Sequence, residues 1–445
     1  MVGNPINKEC LVIGVILLFM GICIIPAIAQ DMEKSQSAFG GNWWYVGGSG
    51  PGNYTKIQDA INASSDGDTV FVYHGNYTEN IVINKSISVL GENKETTWIS
   101  GYGYYLLDRI VLLVGINIVF SGFTVYLIET TCPGIAIENS QNCVVSNNII
   151  KSTWGIKLYN ASNNVVKENT VFTSNGGISL GDYSNKYCEE NIIENNTITN
   201  TGNSGLTYNF GIYLSKTAEK NIIRNNYLYD CVRDGIYLEE AKNNTIEQNI
   251  ITCFGGKNEY GICLFWVFNP YMTGNKLVGN DISNYTYGII TNYNDNLLIS
   301  GNIIHDTTWG LCNLAGPSNL TITNNFIDDN RLGVEIESGY NITFEGNHVT
   351  SNNIGMMVTY SSNIIIRKNN FTFNKEGLYI GLSPKAEITM NNFIQNRRHA
   401  EFLFCLNKWN SNYWNKPRNY PKPIFGTFLF VQFDWHPAQE PYDIP

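Results

Sequence analysis

The sequence predicts an all-β fold, a right-handed parallel β-helix solenoid of about twelve coils. An N-terminal helix cap and an irregular C-terminal cap would close its ends. One observation is a phrase of Gly followed by alternating apolar residues. It begins at Gly134, Gly155, Gly177, Gly211, Gly235, Gly261, Gly288, Gly310, Gly333, Gly355 and Gly377. The ten intervals are 21, 22, 34, 24, 26, 27, 22, 23, 22 and 22 residues. A period this short, without 3.6-residue periodicity, is one β-helix turn and not a helical repeat. The second observation is the alternation itself: Ile212 and Leu214, Ile236 and Leu238, and Val334 and Ile336 occupy offsets +1 and +3. Strand side chains alternate between faces, so these point inward and offsets +2 and +4 face solvent. The third is Asn between the short strands, as in Asn221-Ile-Ile-Arg-Asn-Asn-Tyr-Leu. Asn tolerates left-handed backbone at corners, and stacked Asn side chains form ladders that pin the register.

Each segment follows in order. Residues 1–29 read as a secretory signal: Cys10 to Ile28 is apolar, Lys8 precedes it, and Ala27-Ile-Ala29 ends before Gln30. Nineteen such residues also suffice for an uncleaved anchor. Either way the remainder is exported, secreted or held at the cell surface. Residues 30–101 form the N-terminal cap and first coil. Tyr54 to Ala63 carries a helical stripe of Ile57, Ala60 and Ile61, while Asp68 to Tyr73 and Ile81 to Leu90 alternate as strands. A short amphipathic helix here covers the open end of a solenoid. Residues 102–408 are the repeats, each burying its core only against its neighbours. Residues 409–445 are a Trp/Pro-rich cap. Its Asp434, His436, Glu440 and Asp443 read as surface charges on a plug rather than as a metal set.

Composition narrows the function classes. The 445 residues are 43% apolar and 15% charged, which excludes a disordered chain. A net charge of −10 without a basic run argues against nucleic acid or anionic lipid as partners. No membrane span is expected beyond the N-terminal signal. Export permits disulfides, and Cys231 and Cys253, one register apart on adjacent coils, are the best bridge candidate. Eleven Asn-x-Ser/Thr sequons occur, as Asn/Thr-rich corners produce.

The stretches Tyr54-Thr-Lys-Ile-Gln-Asp-Ala-Ile, Gly67-Asp-Thr-Val-Phe-Val and Gly75-Asn-Tyr-Thr-Glu-Asn-Ile-Val-Ile resemble the opening of pectin-lyase-like β-helix proteins. The repeats resemble the NosD-type branch, known also for carbohydrate-binding and sugar-hydrolase repeats, and Arg233-Asp-Gly-Ile-Tyr-Leu matches its phrase. The tail, with Asn-Tyr-Trp-Asn-Lys-Pro-Arg and Phe-Asp-Trp-His-Pro, resembles exported β-helix proteins of methanogenic archaea. The resemblance implies the fold. For activity it implies either copper handling, as for NosD and nitrous oxide reductase, or cleavage or epimerisation of acidic polysaccharides.

Residue by residue, these activities receive unequal support. A polysaccharide lyase, hydrolase or epimerase needs convergent acids, with calcium in the lyases. The candidates are Glu335 and Glu337, about 7 Å apart at i, i+2, and Asp182 with Glu240, two coils or near 10 Å apart. Copper requires Cys, Met or His together. Cys312 and Met357 stand two coils apart and His305 lies at another corner. Calcium and copper are therefore cofactors by resemblance only. Glycan binding asks for flat aromatics beside hydrogen-bonding groups. Tyr213 and Tyr237 share offset +2 on adjacent coils, with Arg233, Asp234 and Glu239 alongside. A second aromatic set, Trp154, Phe210, Tyr260, Tyr287 and Trp309, precedes the Gly and is expected to pack into a corner. The leading expectation is a noncatalytic surface protein whose partner is a polysaccharide or an envelope component. The alternatives are a polysaccharide-active enzyme and a copper-handling accessory protein.

Overall fold

Short apolar steps flanked by corner residues give each turn three strands that pair only with the turns above and below. A computed structural model describes residues 41–445, apart from 104–108, 128–131, 182–185, 201–208, 255–258, 266–271, 314–315, 317 and 428–429. In the turn at Gly211 the strands are Phe210–Leu214, Ile222–Arg224 and Tyr227–Tyr229. They belong to three columns, here termed the Gly column, the second column and the third column. All three are parallel and in register. Ile212 sits between Ile178 and Ile236, Ile223 between Ile193 and Ile246, and Leu228 between Ile198 and Ile251. All nine side chains are fully buried, so one apolar core runs the length of the rod.

The solenoid has about fifteen turns rather than twelve. Trp43–Val46, Thr69–Val72, Ser88–Gly91 and Val119–Ser121 already stack in the second column ahead of the first Gly phrase. Those turns pack by the same alternation without the Gly phrase, which is why counting glycines misses them. In the Gly column the glycine serves close approach and not left-handed backbone. A Cβ on Gly333 would stand 2.5 Å from the carbonyl oxygen of Gly355 in the next turn.

Asn residues divide into two jobs. Asn225 and Asn195 take the left-handed corners, with φ of 54° and 55°. The residues after them, Asn226 and Asn196, are buried and belong to a ladder along the corner between the second and third columns. Each ladder Asn donates its backbone N–H and its side-chain amide to Oδ1 of the Asn one turn on. The run is Asn148, Asn169, Asn196, Asn226, Asn249, Asn280, Asn302, Asn325, Asn347, Asn369, Asn391 and Asn412. Buried amides are tolerable only when satisfied, and here each turn satisfies its neighbour.

Both ends are closed. The helix Ile57–Ala63 buries Ile57, Ala60 and Ile61 against the first turns. The Glu79 carboxylate accepts from the Ile57 and Gln58 N–H groups at 2.8 and 3.0 Å, satisfying two donors that a helix start leaves open. Beyond the last turn the chain forms an antiparallel hairpin, Lys422–Phe425 with Val431–Asp434. Asp434 is fully buried and ends the Asn ladder, accepting from the Asn412 N–H and side-chain amide at 2.9 and 3.1 Å. The tail then runs back along the third column, where Tyr442 pairs with Asn392 and the Pro445 carbonyl meets His348.

The expected Cys231–Cys253 bridge is absent. The eight cysteines from Cys132 to Cys405 are buried and form no disulfide, and Cys231 and Cys253 pack into the apolar core. The expected signal lies outside the described residues. Among the described residues no helix is long and apolar enough to cross a membrane.

Candidate functional site

The outer side of the Gly column departs from simple alternation. Offset +2 was expected to face solvent, yet Tyr213, Cys263, Ile290 and Cys312 are buried there. The aromatic set one residue before the Gly explains the difference. Tyr260, Tyr287 and Trp309 do not turn into a corner; they lie over the +2 side chains and, with Tyr237, enclose a second apolar cluster outside the main core. Because offset −1 repeats in register, these rings stack turn upon turn. Tyr260 and Tyr287 have centroids 5.4 Å apart, and Tyr287 and Trp309 4.7 Å at 13°. The Arg331 guanidinium lies 5.6 Å from the Trp309 ring, within cation–π range. Toward the N-terminus Trp154, Phe210, Tyr213 and Tyr237 continue the row at 6.0, 4.8 and 5.7 Å. Tyr213 is only 8% exposed, so it supports the row from beneath while Tyr237 keeps an accessible edge.

One polar residue interrupts this row. Asp234 occupies the −1 register between Phe210 and Tyr260 and is 2% exposed. Its Oδ1 has no hydrogen-bond partner, and its Oδ2 lies 3.8 Å from Arg233 Nε. Burial pushes the Asp234 carboxyl up to about 7; Arg233 opposes that rise and Glu259 adds to it. Arg233 Nε also holds Glu259 at 3.4 Å. Burial likewise raises the Tyr260 hydroxyl to about 12 and pushes that of Tyr237 far up. Tyr213 donates through its hydroxyl to Glu239 Oε2. Arg233, Asp234, Tyr237, Glu239 and Tyr213 are therefore brought together. Glu259, half exposed on the adjacent turn, joins them without having been anticipated. Its signal was present in the spacing: Arg233 and Glu259 both stand two residues before their Gly.

The other candidates stay apart. Asp182 lies outside the described residues, and Glu240 occupies a left-handed corner at φ 56°. Glu335 lies between Cys312 and Met357 in register and accepts from the Cys312 thiol at 3.3 Å; Glu337 pairs with Thr359. His305 belongs to the third column, held by Asp306 at 2.6 Å and Asp281 at 3.3 Å. Cys312, Met357 and His305 consequently do not converge, and the donor set does not fit copper. Among the described residues no group of three or more His, Cys, Asp or Glu side chains is placed to hold a metal ion. A further exposed aromatic cluster was not anticipated: Trp43, Tyr45, Phe71 and Tyr73, with ring centroids 5.2 to 6.3 Å apart on the first turns.

Comparison with known proteins follows this geometry. The chain is 31% identical over 113 residues to a cell surface glycoprotein of Methanothermus fervidus, a match covering 23% of this chain and 16% of that protein. The chain thus spans about a sixth of that relative's length. Among solved structures, a tailspike protein variant of E. coli bacteriophage HK620, in complex with pentasaccharide, aligns at a TM-score of 0.53 and 12% identity. That alignment covers 80% of this chain and 76% of the tailspike, and shows the shared fold. A mannuronan C-5 epimerase A-module of Azotobacter vinelandii aligns at 0.45 and 13% identity over 87% and 95% of the two chains. The family model described as periplasmic copper-binding protein (NosD) matches residues 61–251, 207–265 and 256–427. A solenoid whose turns match that model from the helix cap to the terminal hairpin belongs to the NosD family.

Proposed function

We propose that this is an exported surface protein that binds polysaccharide along the outer side of its Gly column without cleaving it. The observation that carries the reading is the aromatic row from Phe210 to Trp309, edged by Arg233, Glu239 and Glu259. The stacked rings leave a row of apolar ring edges for sugar C–H groups, and the charged groups beside them supply donors and acceptors for hydroxyls. The cell surface glycoprotein relative, the NosD family match and the apolar N-terminal segment support export.

A second reading rests on the setting of Asp234. A carboxyl whose proton is held up to about pH 7, beside Arg233 and Glu259, has the elements of an acid and a charged partner. Against it, Asp234 is almost wholly covered, so a substrate oxygen would need the aromatic row to open. A glycan array probed with the full chain, with calcium and then with a chelator, separates the two. The binder reading expects calcium-independent binding without products, lost in Tyr237→Ala and Arg233→Gln at unchanged unfolding temperature. Released products that vanish in Asp234→Asn would refute it in favour of an enzyme. Binding that survives Tyr237→Ala but not Trp43→Ala would move the site to the first turns.

A further inference from the structure

The junction between the last turn and the terminal hairpin holds a cavity of about 420 Å³. Its walls include Arg397, Arg398, His399 and Glu401 on one side and Lys422 on the other, with Trp414 between. In a chain of net charge −10 this is a local excess of positive charge. Arg398 is balanced, at 3.7 Å from Glu376 and in contact with Glu401. Among the described residues Arg397 and Lys422 have no carboxylate partner. Lys422 is half-buried, with its ammonium 5.8 Å from the Trp414 ring. Close by, Arg418 donates to the Tyr420 hydroxyl; among the described residues it too has no carboxylate partner, and its buried Nε has no hydrogen-bond partner. A half-buried cation without a counter-charge is costly, and the usual remedy is a facing carboxylate. Among the described residues Glu401 is the only acid lining the cavity, and Arg398 and Thr427 engage it.

We propose that this cavity is a binding site for an oxyanion: a carboxylate, sulfate or phosphate group seated between Lys422, Arg397 and His399. Arg397 offers a planar donor fork and Lys422 a point charge, the two side chains suited to such groups. His399 lies in the same positive field. Burial, Lys422 and Arg418 together depress its imidazole to about 4, and burial and Arg418 lower Lys422. An anion in the cavity would relieve both. The cavity lies at the end of the rod, independent of the aromatic row and of the reading built on it.

The test is equilibrium binding of sulfate, phosphate and galacturonate to the full chain at constant ionic strength in chloride. In parallel, His399 is followed by NMR as a function of pH. Saturable binding of at least one probe is expected, weakened roughly tenfold by Lys422→Met and by Arg397→Gln, as loss of one charge-assisted contact implies. Lys368→Met, remote from the cavity, leaves binding unchanged. Bound ligand raises the His399 midpoint. Arg397 is exposed, so its variant retains the fold even if Lys422→Met does not. Preference for galacturonate would identify an acidic sugar as the source, and preference for phosphate or sulfate a free ion or ester. The site is overturned if no probe saturates below about 10 mM, or if both variants bind as the parent does.

Discussion

Replacing Asp434 by Ala should cost about 3–5 kcal/mol and unravel the rod from its C-terminal end. Five donors converge on this carboxylate. Oδ2 accepts from the Asn412 N–H, the Asn412 amide and the Trp414 indole N–H at 2.9, 3.1 and 3.1 Å. Oδ1 accepts from the N–H groups of Ser411 and His436, each at 3.2 Å. Water can reach the last two, which are only partly buried. The first three are buried and would be left unsatisfied, at about 1–3 kcal/mol each before relaxation. Asp434→Asn is the informative companion, because Asn occupies every earlier place in the ladder. Its Oδ1 can replace Oδ2, but its NH₂ would then face two backbone N–H donors, so about 1–2 kcal/mol is lost. Denaturant unfolding gives the stability differences, and amide exchange shows where they fall. Protection should drop first in the turns from Ile388 to Trp414, since each turn contacts only its neighbours. An Ala variant within about 0.5 kcal/mol of the parent, or exchange that rises evenly along the rod, would refute the ladder as the element closing this end.

The remaining expectations concern the rod and the site. Gly333→Ala places a methyl 2.5 Å from the Gly355 carbonyl oxygen and should destabilise by about 2–4 kcal/mol, as overpacking against backbone does; thermal unfolding measures it. Asp234 holds its proton in the folded chain up to about pH 7, while the unfolded carboxyl releases it near 4. The unfolded state therefore binds fewer protons between those values, and stability falls as pH rises from about 4 to 7, then levels off. Asp234→Asn should remove that slope and be more stable than the parent at pH 8, by a few kcal/mol at most; melting at pH 5 and pH 8 tests this. The buried thiols from Cys132 to Cys405 should stay unreactive toward a thiol reagent until the chain unfolds. Fast labelling of any of the eight in the native protein would contradict their placement.

The solenoid was legible because its determinants are local and repeat. Alternation at Ile212/Leu214 or Val334/Ile336 specifies which side faces the core, and the 22-residue spacing repeats that choice turn after turn. The helix at Ile57–Ala63 could be read from three apolar positions for the same reason. The functional surface is different in kind, since it depends on what lies above a strand and not on the strand's own pattern. Alternation places Tyr213, Cys263 and Cys312 outside the core, and they are outside it. Only stacking of the −1 aromatics over them shows that outside is not exposed. Asp234 looks like any surface acid until the register sets it between Phe210 and Tyr260, where loss of water raises its carboxyl. Glu259 became a neighbour of Arg233 through pairing of adjacent turns, 26 residues apart along the chain. Asp434 shows the limit most plainly. Its sequence context offered a surface charge on a plug, and only the closing hairpin carries it into the buried end of the Asn ladder. Periodic burial is written residue by residue, whereas partners, dielectric and charge balance arise only when distant turns meet.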